Sequence, residues 1–423
     1  MSLVDPAQLN LESTLYQAHN GSLSLGNSQG RQRSRALRHM ARTLDQAMDE
    51  ILEANTLDLE ACEEMAVPEL IRDWLRLTPE RLQDVVKILW DLSTLEDPLE
   101  QGIATPSHSS GSTQGFTQRV PLGVVALVYE SLPLLGAIAA ALCIRTGNSL
   151  ILRGSTDSSH SNAAIAHALR AGLESADMPP ACITHLGGDH GSLLRDSLVQ
   201  SPWVNLVIPY GRPSLVHRVE QVATAPVLKT GMGNCYLYWA ASGQLELVQW
   251  MIQDSYATEP DPVNAIEKVL ISRDVSESMV RLLLEGLKAE GFQLRGDQSL
   301  LELYSDLEPV EAAEWSQPYL NRTVAFRCVH NLETAVNWMN AHSSSQADCI
   351  ATESYGESQE FCQRISSATV YVNTSSRFYR HPAHSSQVAL GMSNQRGHRH
   401  GRVDLTTLTT AKHIILGRGQ VNL

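Results

Sequence analysis

A chain of 423 residues is too long for one simple core, so two large domains of roughly 150 to 200 residues each are expected. Hydrophobic residues make up 43% and charged residues 18%, a soluble globular balance, and no window comes near the ~18 uninterrupted apolar residues of a membrane helix. The net charge of −14, with no Lys/Arg-rich stripe to offset it, would repel a nucleic-acid backbone, so neither membrane nor nucleic acid is an expected partner.

The opening "MSLVDPAQLNLESTLYQ" carries Asp5 and Glu12 and no basic segment, which argues against a secretory signal and for a cytoplasmic protein. From Arg31 to Asn55, residues Leu37, Met40, Leu44, Ala47, Ile51 and Leu52 recur at steps of three and four, the period of one buried helix face. "LTPERLQDVVKILWDLSTL" predicts a further helix, with Thr78 as N-cap, Pro79 at the first position and Glu80 in the first turn. Residues 105–118, "TPSHSSGSTQGFTQ", are almost free of aliphatic side chains, which excludes a core helix and predicts a linker or exposed hairpin.

The period then changes. "GVVALVY" (123–129) is a continuous apolar run of strand length, as expected of a strand covered on both faces. "PLLGAIAAALCIRTGN" offers Pro133 for a first helical turn and Gly147 for a C-cap, and "SLILR" (149–153) is a second buried strand, completing a βαβ unit. A helix near "SNAAIAHALRAGLE", a short "CITHL" strand and a strand at "VNLVIP" (204–209) continue the alternation, which implies a mostly parallel, doubly wound sheet with its ligand crevice at the strand C-termini. Arg153 and "PYGR" (209–212) leave strand ends there. They are either ligand contacts or a surface ion-pair partner and an ordinary glycine turn. From "TGMGNCYLYWA" (230–240) the pattern repeats in kind, with an "LELVQWMIQDS" helix, the loop "ATEPDPVNAIEK" (257–268), a "KVLIS" strand (268–272) and a later strand at "ATVYVN" (368–373). "TTLTTAKHIIL" (406–416) suits an edge strand.

Seven cysteines, at 62, 143, 182, 235, 328, 349 and 362, show neither a CxxC pair nor regular spacing, which argues against a zinc site or a disulfide framework. The histidines of "HPAH" and "GHRHGR" (381–402) lack acidic or cysteine partners at ligand spacing, so no metal is expected.

In order along the chain, "LTPERL", "VPLGV", "YES", "TGN", "ILRG", "GNCYLY", "PVNAIE", "VYVNTSSRF" and "TTLTTAK" resemble the gamma-glutamyl phosphate reductase family, also called glutamate-5-semialdehyde dehydrogenases, of the aldehyde dehydrogenase superfamily. The resemblance covers nearly the whole chain. It implies an aldehyde-dehydrogenase-like α/β fold of two doubly wound domains: an NADPH-binding domain (1–104 and 119–229), a catalytic-type domain (230–400), and a small oligomerisation element (105–118 and 401–423). It also implies a reaction in which a cysteine thiolate attacks the acyl phosphate of gamma-glutamyl phosphate, expels phosphate and holds a thioester that accepts hydride from NADPH.

Against that pattern stand three departures. Asn264, Ala265 and Glu267 match the family's residues after the nucleophile, which places Val263 where the family has its cysteine. Valine keeps the packing volume but cannot attack a carbonyl, and loss of the nucleophile alone costs about 10⁶ in turnover in another covalent enzyme class. No cysteine lies between Cys235 and Cys328 to rescue the register. Glu259 stands where the family has arginine; it either replaces an attraction of about 4 kcal/mol (~4 Å, effective dielectric ~20) by a repulsion of the anionic substrate, or points to solvent. The family's glycine-rich stretch falls on "HSSQVA" (384–389), where side chains would block a close backbone approach.

For the cofactor, Arg153, Gly154, Pro209 and Gly211 match the family, Tyr210 and Arg212 interrupt its "PRGG" pattern, and Glu314 matches an acidic residue used against the nicotinamide-side ribose. Glu259, Asn264, Asn373 and Arg377 are the substrate-pocket candidates. The expectation is a catalytically impaired or inactive paralogue with a binding or assembly role, with NADPH/NADP binding weak or lost, working as a homo-oligomer or as a hetero-oligomer with an active reductase. The alternative is an active dehydrogenase using another thiol, Cys235.

Overall fold

The computed structural model describes residues 6–100, 102–103, 113–187, 191–257, 261, 263–381, 387–395, 397 and 400–417. Amphipathic spacing in the first quarter produces α1 (Pro6–Gly26), α2 (Gly30–Gln46), α3 (Met48–Glu64), α4 (Glu69–Leu75) and α5 (Pro79–Thr94). The periodic stretch from Arg31 to Asn55 is thus two helices rather than one. It breaks at Ala47 (φ −90°, ψ 11°), where neither glycine nor proline signals a stop. The apolar period survives the break, since Leu37, Met40, Leu44 and Ile51 are all fully buried. α5 starts as predicted: the Thr78 hydroxyl accepts the Arg81 N–H at 3.3 Å and Pro79 fills the position whose N–H would have no partner.

The chain divides into two compact units, one of Met1–Lys229, Arg380–Leu390 and Arg402–Leu423, the other of Thr230–Tyr379 and Gly391–Gly401. In the first, β1 (Gly102–Ile103) and β2 (Thr113–Pro121) precede β3 (Val124–Tyr129), α6 (Pro133–Arg145), β4 (Ser149–Arg153), α7 (Ser159–Ser175), β5 (Ile183–His185), α8 (Gly191–Val199), β6 (Leu206–Tyr210) and α9 (Pro213–Val222). β3 and β4 are buried along their whole length, the mark of parallel strands covered on both faces. Gly147 (φ +78°) ends α6 in the left-handed conformation, where a Cβ would press to 2.8 Å from Pro121 Cγ. The N–H groups at the start of α7 are met from α3, whose buried Asp58 accepts from the Ser161 N–H (2.8 Å) and hydroxyl (2.7 Å) and from the His160 N–H (3.0 Å).

The parallel sheet runs β5-β4-β3-β6. The chain moves outward from β3 to β5 and then returns to the other side of β3, so the ends of β3 and β6 flank the topological switch point, where ligands of such sheets bind.

The second unit begins with β7 (Thr230–Gly231), β8 (Cys235–Trp239), α10 (Leu245–Ser255), β9 (Ile266–Ser272) and α11 (Glu277–Ala289). It continues with β10 (Gln293–Gly296), α12 (Gln298–Leu301), β11 (Glu308–Pro309), β12 (Thr323–Val329), α13 (Leu332–His342), β13 (Ala347–Ala351), α14 (Tyr355–Arg364) and β14 (Thr369–Val372). Its seven-stranded sheet, β11-β10-β12-β9-β8-β13-β14, is parallel throughout. Strand alternation splits the core in two. Leu237, Trp239, Val269 and Ile271 pack with Val248 and Met251 of α10 and Leu283 and Leu287 of α11, while Tyr236, Tyr238 and Leu270 pack with Val336 and Met339 of α13 and Phe361 of α14.

After these come β15 (Ala389–Ser393), β16 (Gly401–Asp404) and β17 (Thr409–Gly417). β17 pairs antiparallel with β2 from Thr409 opposite Pro121 to Gly417 opposite Thr113, and it is the outer strand of the order β1-β2-β17. Of the 105–118 element, residues 105–112 lie outside the described residues. Among the described residues no helix is long and apolar enough to cross a membrane.

Candidate functional site

The loop that carries Val263 leads into β9, and main-chain groups hold it. The Val263 carbonyl accepts the Gly233 N–H at 3.0 Å and the Gln346 Nε2 at 2.6 Å. The Asn264 carbonyl accepts the Ser376 hydroxyl at 2.7 Å, the Ala265 carbonyl accepts the Cys235 N–H at 3.3 Å, and the Ile266 N–H donates to Ser255 Oγ at 3.0 Å. None of these bonds involves the side chain at 263, which is fully buried. The described contacts of the loop would therefore be the same with any side chain of similar volume at 263. Asn264 is also fully buried; its Oδ1 accepts Gln346 Nε2 at 3.3 Å and its Nδ2 has no partner among the described residues.

Glu267 of the same motif braces the opposing turn. Its buried carboxylate accepts the N–H groups of Asn234 (2.9 Å), Tyr319 (2.8 Å) and Leu320 (3.0 Å). Asn234 (φ +55°) and Leu320 (φ +58°) are both left-handed, and Gly233 (φ +65°) comes so close that a Cβ there would lie 2.5 Å from Glu267 Oε1. This turn delivers the Gly233 N–H to Val263. Lys268, fully buried, sits with Nζ 3.5 Å from Glu267 Oε2, donates to the Gln317 carbonyl at 3.2 Å and lies 3.7 Å over the Tyr319 ring. Burial lowers its pKa, and the Glu267 charge opposes the fall.

The other candidates have structural partners. Asn373 (φ +53°) exchanges two hydrogen bonds with the Thr352 backbone, at 2.9 and 2.7 Å, and secures the chain beyond β14. Arg377 pairs with Asp254 of α10 at 3.2 Å and stacks on Tyr379. In that stretch it is Ser376 that bonds the loop. Glu314 receives Arg295 Nη1 at 2.7 Å and the Tyr319 hydroxyl at 2.8 Å. Burial alone would raise its pKa, but these bonds outweigh it and hold the carboxyl below its ordinary range. Glu259 and residues 384–386 lie outside the described residues.

Cys235 is fully buried, with Sγ 3.7 Å from the Gly233 carbonyl and 4.0 Å from Ser344 Oγ. Burial first, then the charge of Asp348, pushes its thiol well above the ordinary range, the opposite of an activated nucleophile. His381 meets Asp91 at 2.9 Å and His400 meets the Ser345 carbonyl at 2.6 Å, while His384 and His398 lie outside the described residues. Among the described residues no group of three His, Cys, Asp or Glu side chains could hold a metal.

In the first unit, the residues expected to hold a cofactor surround the switch point. Arg153, buried at the end of β4, donates to the carbonyls of Gly154 and of Gly191 (3.1 Å). Gly154 is set by packing, since a Cβ would lie 2.1 Å from Asn162 Nδ2, and Pro209 pairs within the sheet with Val128. Tyr210 is fully buried and its hydroxyl accepts from Arg380 at 2.8 Å. Glu130, just past β3, accepts three bonds from Arg212, the N-cap of α9: backbone N–H at 2.9 Å, Nε at 3.1 Å and Nη2 at 3.2 Å. A carboxylate thus stands at the N-terminus of α9, where a dinucleotide phosphate would be expected, and a phosphate would fit there only with that carboxylate displaced.

Residues 7–290, more than half the chain, match the Aldehyde dehydrogenase family. The chain belongs to that family. Within it, the chain is 48% identical over 417 residues to Gamma-glutamyl phosphate reductase 2 of Synechocystis sp., covering 98% of this chain and 99% of the relative. The crystal structure of gamma-glutamyl phosphate reductase from Thermotoga maritima superimposes with a TM-score of 0.88 at 30% identity, over 98% of this chain and 100% of that one. Both assign the chain to the gamma-glutamyl phosphate reductase branch. Staphylococcus aureus betaine aldehyde dehydrogenase, solved in complex with NAD+, shares the fold at 15% identity and a TM-score of 0.70, over 98% and 88% of the two chains.

Gln346, Ser376 and Glu130 are among the members of these sites that sequence reading leaves out, as are Ser255, Arg295 and Tyr319. Ser376 lies within "VYVNTSSRF" and Glu130 within "YES", so motif membership could have flagged them. Gln346, 83 residues from Val263, carries no such signal.

Proposed function

We propose that this chain is a non-catalytic relative of the gamma-glutamyl phosphate reductases that keeps their fold, has weak or lost dinucleotide binding and acts through assembly with itself or with an active reductase. Val263 carries the reading. Reduction of an acyl phosphate by this family's route needs a thioester, and an isopropyl group has no lone pair with which to form one. The main-chain anchoring of the loop supports it, because a frame that does not use the side chain at 263 persists after the nucleophile is lost. The exposed edge of β17, with Ile415 and Leu416 outward beside Phe116 of β2, supports the assembly role.

The test is NADPH oxidation with gamma-glutamyl phosphate, and phosphate-dependent NADP reduction with glutamate-5-semialdehyde, using protein from a host lacking its own reductase. No rate above the blank is expected, and a steady protein-dependent rate overturns the proposal. The competing reading, an active reductase, draws on the names of the chain's relatives and requires another thiol. Acyl trapping followed by peptide mass spectrometry would then place the label on Cys235, against which its burial and raised pKa argue. Titrating NADPH against tryptophan fluorescence measures the dinucleotide binding.

A further inference from the structure

The switch-point crevice contains an arrangement that the fold does not require. Its sequence origin is the pair of residues flanking Gly211. Tyr210 turns inward to Arg380, and Arg212 turns back onto Glu130. Gly211 makes this possible, because a Cβ at 211 would lie 2.8 Å from Glu130 Oε2 and drive the carboxylate away. Glu130 is held from the other side by its own backbone, whose N–H donates to the Tyr210 carbonyl at 3.0 Å. Its side chain is only 15% exposed, whereas that of Arg212 is 45% exposed. The carboxylate is therefore largely covered, while the guanidinium that holds it is half-exposed. Asp157 adds a second negative charge within range of Arg212.

From this geometry we infer that Glu130, clamped by Arg212, is an intramolecular plug: its carboxylate takes the place at the start of α9 that a ligand phosphate would occupy, and any anionic ligand must displace it. The inference rests on the reading that the crevice still takes a dinucleotide, and it gives the physical reason why that binding is weak. A helix N-terminus offers unpaired N–H groups and a partial positive charge to an anion. Here the Arg212 N–H is taken by Glu130, Pro213 has no N–H and the Leu215 N–H donates to the Arg212 carbonyl at 3.0 Å, and the fixed negative charge repels a phosphate at short range. A ligand without charge meets neither obstacle.

The experiment compares the full-length chain with Glu130→Gln, which keeps one carbonyl oxygen to accept the Arg212 N–H, replaces the second acceptor by an NH2 group and removes the charge. Binding of inorganic pyrophosphate, NADPH and uncharged adenosine is measured by calorimetry, with circular dichroism and melting to confirm the fold. At least a tenfold gain in pyrophosphate affinity with adenosine unchanged is expected. Unchanged or weaker pyrophosphate binding overturns the plug, as does an equal gain for adenosine, which would mean only that space was opened. Should Glu130→Gln not fold, Glu130→Ala is subject to the same two criteria. The parent chain's own NADPH titration decides the underlying dinucleotide reading separately, since the pyrophosphate ratio reports on the plug whether or not the parent binds NADPH.

Discussion

The Gln346 amide donates to the carbonyl of Val263 at 2.6 Å, joining two segments 83 residues apart through an atom that every amino acid possesses. Gly233 makes a second bond to the same carbonyl. The identity of residue 263 is thereby separated from the position of its backbone, and the consequences can be measured.

Val263→Cys should fold with a stability within about 1.5 kcal/mol of the parent, since the volumes are close and the site is fully buried. It should remain without turnover in the reductase assay, because the restored thiol would be enclosed. Urea titration and the assay check the two halves, and recovery of activity would show that only the sulfur had been missing.

Glu267→Ala should cost roughly 3–5 kcal/mol, because it strands three buried N–H donors and leaves Lys268 as an uncompensated buried charge. Gly233→Ala should cost about 1–3 kcal/mol through its left-handed φ and the 2.5 Å approach to Glu267. Denaturant midpoints measure both, and a neutral Glu267→Ala would remove the carboxylate's bracing role.

Ile415→Lys on β17, the outer strand among the described residues, should reduce self-association while changing stability by less than about 0.5 kcal/mol, since the side chain is 74% exposed. Sedimentation velocity over a range of protein concentrations reads the effect. An unchanged mass distribution would take β17 out of the assembly.

Burial first, and then the positive charge of Arg153, holds the His185 imidazole below its ordinary pKa of 6.5. Below pH 6.5 the unfolded chain takes up a proton that the folded chain still refuses, so the unfolded state binds more protons and stability falls with falling pH. The stability from this group is complete above pH 6.5 and is lost from there down through the lower folded pKa. The denaturation midpoint should therefore drop between pH 7 and about pH 5, and His185→Gln should flatten part of that drop. Identical slopes in parent and variant would rule His185 out.

Much of the first unit was legible because its strands are buried on both faces: "GVVALVY" and "SLILR" have nowhere to sit but inside a parallel sheet. The break at Ala47 was not, as nothing in "LDQAMDE" disfavours helix and the bend is imposed by packing. β10, β12 and β13 carry Arg295, Arg327 and Asp348 and so escape an apolar-run criterion. At the site, reading Val263 at the nucleophile position rests on the register set by Asn264, Ala265 and Glu267. The roles of Gln346 and Ser376 depend on contacts across 83 and 112 residues, which no local pattern encodes. Asn373 and Arg377 were legible as motif members but not as a turn brace and an ion-pair partner.

The cysteines differ sharply in accessibility. Cys62, Cys143, Cys182, Cys235 and Cys349 are buried, Cys328 is half-covered, and Cys362 alone is exposed, on α14 beside the core residue Phe361. A maleimide dye or nitroxide should therefore couple first at a single native address on the outside of the second unit. That address gives distance measurements within any assembly of the chain an attachment point without deleting a single cysteine.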